Sequence, residues 1–181
     1  MTPTPHPGPA VAFIPSQRQG LTVKIDLLAE SPLPPERVLE AVARDFSPRR
    51  ATVWPNVKAA HLEIHESGEN FAEVTEGTWV LGIFWERNRY EWSEPGSVKA
   101  TVIDSNIFQP GSTWELRADA CEGGSRVQMI LNRGFRSGPK GRFAGAVHKT
   151  IGKFVWAMFL RRALAAVAKQ AAQPQPEKVI R

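Results

Sequence analysis

One uninterrupted stretch near the C-terminus, Phe143 to Ala168, limits what the rest of the chain can fold into. It contains no proline, and its two glycines are isolated. Val147, Ile151, Phe154, Met158 and Ala165 recur at spacings of three, four and seven, which puts them on one face of a helix. Lys149 and Lys153 fall on the opposite face. Pro139 suits a first helical turn, and the helix is expected to fray before Pro174. That predicts roughly eight turns. A helix this long with an apolar face needs a broad surface to bury it. The sequence upstream reads as short β-strands, so the expected partner is a sheet.

The chain of 181 residues is long enough for one well-buried core. Residues 1–18 read as a tail, because Pro3, Pro5, Pro7, Pro9 and Pro15 deny it regular structure. Residues 19–172 are expected to form a single domain, followed by a C-terminal tail over 173–181. Within the first tail, Val11–Ile14 is an apolar patch able to dock elsewhere. Cys121 is the single cysteine, which excludes an internal disulfide and fits a cytoplasmic setting. The N-terminus lacks the basic region and apolar core of a signal peptide. The longest uncharged apolar run in the helix, Phe154–Leu160, is too short for a membrane span. The net charge of +5 is spread and partly matched by acids, so no nucleic-acid partner is expected.

Val23, Ile25 and Leu27 alternate with Lys24 and Asp26, as in a half-buried strand. After Ser31–Pro35, a short helix from Glu36 to about Asp45 turns Val38, Leu39, Val42 and Phe46 inward. Ser47-Pro48 starts a second short helix, with serine as N-cap. From Ala59 to Phe135 the pattern is almost entirely β, about six antiparallel strands. If Trp92 lies opposite Val98, then Glu91 lies opposite Lys99, an opposite-charge cross-strand pair. Phe84, Glu86, Asn88, Tyr90 and Trp92 then share one face. Trp114, Leu116, Ala118 and Ala120 point inward on the next strand, and Val127, Met129 and Leu131 on the last.

This order resembles the START-like, or SRPBCC, superfamily, and within it the bacterial polyketide cyclase/dehydrase and lipid-transport-like branch. The resemblance rests on Val23–Asp26, on Val38–Phe46 with Ser47-Pro48, and on Trp54-Pro55-Asn56. Glu76-Gly77-Thr78-Trp79 and Gly111–Glu115 add to it. It spans roughly Leu21 to Ala168. It implies an α+β helix-grip fold: a curved antiparallel sheet of six or seven strands around the long C-terminal helix, with two short helices after the first strand. It also implies a cavity between helix and sheet for a lipid, a polyketide or an aromatic compound.

The residues permit that cavity. Trp92, Trp114, Leu116, Met129 and Leu131 would line it from the sheet, and Val147, Ile151, Phe154 and Met158 from the helix. The alternative is that these side chains simply fill the core. Glu86, Asn88 and Tyr90 would be its polar groups, with Arg162 as a partner for Glu86; a one-residue slip in register would instead put Glu86 in solvent. Helical spacing places Trp156 and Leu160 with Lys149 and Lys153, an apolar patch to be covered by Val11–Ile14, a second subunit or an anionic membrane. His61-X-Glu63-X-His65 reads as a solvated strand face rather than a metal site. The basic, glycine-rich stretch Arg133–Arg142 reads as a solvated loop before a phosphate-binding one.

Binding of a hydrophobic small molecule is thus the expected function. A polyketide cyclase or dehydratase using Glu86 and Tyr90 as acid/base residues is the enzymatic alternative. A protein-interaction module with a vestigial cavity is the third reading. No cofactor or metal is expected, and the expected state is a monomer or homodimer.

Overall fold

The computed structural model describes residues 20–79 and 83–173. Seven strands form one antiparallel sheet: β1 (Thr22–Ser31), β2 (Leu62–Ser67), β3 (Phe71–Trp79), β4 (Ile83–Glu91), β5 (Ser97–Ser105), β6 (Thr113–Cys121) and β7 (Gly124–Gly134). Strands β2 to β7 follow one another as neighbours, and β1 closes the order by pairing with β7, Leu27 opposite Met129. The sheet curls around a 34-residue helix, α3 (Pro139–Ala172). Two short helices, α1 (Pro35–Leu39) and α2 (Arg50–Val53), follow β1 as expected. A π-helical turn, Glu40–Arg44, extends α1.

The pleat decides which side chains enter the core. Along β7, Ser125, Val127, Met129, Leu131 and Arg133 are buried in alternation. Trp114, Leu116 and Ala118 do the same on β6, while Arg117, Asp119 and Lys99 face solvent. Ala120, expected inside, is exposed near the strand end. Glu91 does pair with Lys99. The register then shifts: Asn88 faces Val102 but Arg87 faces Asp104, so Ile103 is an extra residue on β5. This bulge leaves Ile103 and Asp104 both outside and returns Ser105 to the interior.

The phase of α3 differs from the expected one. Its buried side carries Gly141, Ala144, Gly145, Gly152, Leu160, Ala163, Leu164 and Val167. Ile151 and Phe154 are 54% and 74% exposed, and Ala165 also faces out. The cause is close approach. A Cβ on Gly145 would lie 3.1 Å from the Phe135 ring, and one on Gly152 would lie 3.2 Å from Ile25. Only a seam of small residues lets the helix backbone reach β1 and Phe135 that closely. Trp156 and Leu160 consequently turn toward the sheet, Leu160 being 1% exposed. The outward patch expected from them does not exist, and Val11–Ile14, its expected cover, lies outside the described residues. Among the described residues, no helix is long and apolar enough to cross a membrane.

Candidate functional site

Between α3 and the sheet lies a cavity of about 210 Å³. Phe84 on β4, Ile107 and Phe108 after β5, and Phe143, Val147, Val155, Trp156 and Phe159 on α3 make its walls apolar. Asn56 and Glu86 border it, and they also border a smaller recess of about 30 Å³, the size of one or two waters. That recess is polar. Arg50, Glu76, Tyr90 and Arg133 line it together with Trp114, Met129, Leu131 and Trp156.

The polar groups are joined. Arg50 is ion-paired with Glu76, and its Nη2 donates to Tyr90 Oη at 3.1 Å. Tyr90 donates in turn to Glu76 Oε2, which closes a ring of three. Arg50 Nη1 also reaches the Val42 carbonyl at 3.3 Å. Burial works against the Arg50 cation, but Glu76 and Tyr90 more than offset it and hold it charged. Burial, then the Glu76 carboxylate, push the Tyr90 phenol well above its ordinary range, with Arg50 opposing them. Tyr90 is therefore a neutral hydroxyl at any ordinary pH. Glu86 is held separately, by Arg133 Nη1 at 2.8 Å. The Arg133 guanidinium lies 4.5 Å from the centre of the Phe108 ring.

Solved structures of low sequence similarity share this overall fold. TTHA0849 from Thermus thermophilus superposes with a TM-score of 0.68 at 14% identity, over 83% of this chain and all (100%) of that one. The Zhui aromatase/cyclase from Streptomyces sp. R1128 gives 0.63 at 18% identity, over 83% and 96%. Major latex-like protein 151 from Panax ginseng gives 0.57 at 13% identity, over 85% and 100%. This chain has the helix-grip fold. No family model matches its sequence, and no curated protein is significantly similar to it.

In this helix-grip chain, Glu86, Tyr90, Trp114, Met129 and Leu131 meet at the polar recess, and Val147 lines the apolar cavity. The other expected site residues lie elsewhere. Asn88 is buried and faces inward, but it borders neither space, and its amide has no hydrogen-bond partner among the described residues. Trp92 is half-buried against Phe46 and donates its indole N–H to the Glu69 carbonyl at 3.0 Å. Leu116 is in the solid core, and Met158 is half-buried away from the cavity. Ile151 and Phe154 must be corrected to the outer face, for the small-residue reason given above. Arg162 is exposed; the partner of Glu86 is Arg133.

Among the bordering residues that were not anticipated are Arg50, Asn56, Glu76, Arg133 and His148. Two had a signal. Glu76 continues the inward alternation of Ala72 and Val74, and Arg133 continues that of Val127, Met129 and Leu131. Arg136, at the end of the basic stretch nearest the sheet, is tied to the Phe108 carbonyl at 3.1 Å and to Asp104 at 2.6 Å. Lys140 and Arg142 are exposed.

Proposed function

We propose that this protein binds a compact hydrophobic molecule in the cavity between α3 and the sheet. The observation that carries this reading is the cavity itself: about 210 Å³, walled mainly by aromatic and aliphatic side chains, with Glu86 at its border and the other charged groups in one adjoining recess. Binding sites typically combine apolar walls with a few placed polar groups. Apolar cavities of about 150 Å³ already hold benzene, so this one suits a ligand somewhat larger than a single ring. The neighbour described as an aromatase/cyclase shares the architecture in which such a site sits.

Native mass spectrometry of the purified protein tests the reading. A discrete mass above the polypeptide, released on denaturation and extractable into organic solvent, is the expected result. A bare mass that stays bare after incubation with a panel of one- and two-ring aromatics would overturn it.

A second reading, cyclisation or dehydration of a bound polyketide-like chain, draws on the juxtaposition of Glu86 and Tyr90 at the recess. With its phenol pushed up, Tyr90 stays protonated and cannot serve as the base, which leaves Glu86 as the proton acceptor. Under that reading a bound ligand would be recovered chemically altered, and Glu86→Gln would stop the change without stopping binding.

A further inference from the structure

Turning its small residues toward the sheet leaves bulky apolar side chains on the outer face of α3. Phe143, Val147, Ile151, Phe154 and Met158 follow one another at helical spacing and form one stripe. The stripe is about 22 Å long from the helical rise. Phe143, Ile151 and Phe154 are 49%, 54% and 74% exposed, and Val147 and Met158 are half-buried. A run of large apolar side chains left in water marks an interaction surface.

The same helix carries seven lysines and arginines and no aspartate or glutamate. All seven are exposed, and none is ion-paired among the described residues. Helical spacing sets Lys140 one turn before Phe143 and Arg161 and Arg162 one turn after Met158, with Lys149 and Lys153 along one flank.

That charge decides between occupants. A second copy packed stripe to stripe would set seven cations against seven. Residues 1–19 contain no aspartate or glutamate, and residues 174–181 contain one glutamate against one lysine and one arginine, so neither segment supplies the missing charge. An anionic bilayer supplies both parts: headgroups for the cations and an acyl boundary for the apolar stripe between them. Lysine and arginine stems are long enough to reach headgroups while neighbouring apolar side chains sit deeper. Among the described residues no helix is long and apolar enough to cross a membrane, so α3 would lie along the surface.

We propose that the outer face of α3 docks on a membrane surface containing anionic lipid, with Ile151 and Phe154 at the acyl boundary and the surrounding lysines and arginines on the headgroups. Phe143 and Val147 also line the cavity, so the docked bilayer would lie against a cavity wall. Docking itself does not require that the cavity hold a ligand.

The test is partition of the full chain onto vesicles of equal parts phosphatidylcholine and phosphatidylserine, against vesicles of phosphatidylcholine alone, read by co-sedimentation. Partition onto the anionic vesicles, weaker on the neutral ones and weakened by added salt, is expected. Lys149→Gln with Lys153→Gln should lower it about tenfold or more, the equivalent of two cations near the surface. Ile151→Ser with Phe154→Ser should abolish it while the circular dichroism spectrum is kept; should that pair not fold, Phe154→Ser alone serves. Equal partition of the wild type and a folded serine variant overturns the proposal, as does failure of the wild type to bind anionic vesicles. Self-association that Phe154→Ser abolishes, without vesicle binding, would instead give the stripe to a second copy. Retention on immobilised polyglutamate, again without vesicle binding, would give it to an acidic protein.

Discussion

Arg50→Met removes the cation from the buried ring while keeping most of the side chain's apolar bulk. Arg50 and Glu76 are 3% and 8% exposed at their side chains, so neither charge has water to fall back on. The groups that lose a donor are not equal. The Val42 carbonyl still accepts from Trp54 Nε1 at 2.7 Å, and Tyr90 still donates to Glu76. The loss concentrates on the Glu76 carboxylate, left buried without a counter-charge. Breaking a buried pair from one side costs about 3–5 kcal/mol, a large part of the roughly 5–15 kcal/mol that holds a domain folded. Adding Glu76→Leu removes the stranded charge and leaves only the Tyr90 hydroxyl unpartnered, at about 1–3 kcal/mol. Adding Tyr90→Phe removes that too, and the triple variant should return to within about 1.5 kcal/mol of wild type. Urea unfolding followed by far-ultraviolet circular dichroism, with the slope checked for constancy, reads all three. The reasoning is refuted if Arg50→Met costs under about 1 kcal/mol, or if the triple variant is as unstable as the single one.

Two further outcomes are expected. Gly145→Val should destabilise by about 1–3 kcal/mol despite the better helix propensity of valine, because even its Cβ meets Phe135 and Leu21 at 3.1 and 3.0 Å; thermal unfolding checks this. The His148 shift also sets a pH dependence. Its folded pKa is lowered from 6.5, so the unfolded chain takes up the proton first. Its contribution is fully present above 6.5 and is lost as the pH falls from there through the lowered value. Arg133 is the charged group acting on it. Unfolding curves across that window should flatten in His148→Gln, and an unchanged slope would count against a buried neutral ring.

Most of the sheet was legible because period-two alternation is a local property. Val127–Met129–Leu131 and Trp114–Leu116–Ala118 each declare their inner face without reference to anything else. The Glu91–Lys99 pair fixed one hairpin's register, and with it the inward side of Glu86, Asn88 and Tyr90. The β5 bulge was not legible, since Ile103 and Asp104 form an ordinary alternating pair in sequence. The phase of α3 was misread for a physical reason. The helix is apolar on several sides, and the largest side chains suggested the seam, whereas contact distance selected the smallest ones, Gly145 and Gly152 among them. That choice turned Ile151 and Phe154 outward and brought His148 and Trp156 to the cavity. Glu76 and Arg133 could have been found by extending the strand alternation through charged residues instead of stopping at them. Nothing local marks Arg50, because its burial depends on α2 docking against Glu76 on β3, 26 positions later.

Titration of the two-ring fluorophore 1-naphthylamine into the wild type and Val147→Trp tests the central claim most directly, since Val147 lines the cavity and is only half-buried. Saturable one-site fluorescence enhancement in the wild type is predicted, strongly reduced in Val147→Trp while its urea midpoint stays close to wild type. An unchanged dye titration in a folded Val147→Trp would contradict the account. So would a loss of stability of about 1–3 kcal/mol, the signature of an overpacked solid core.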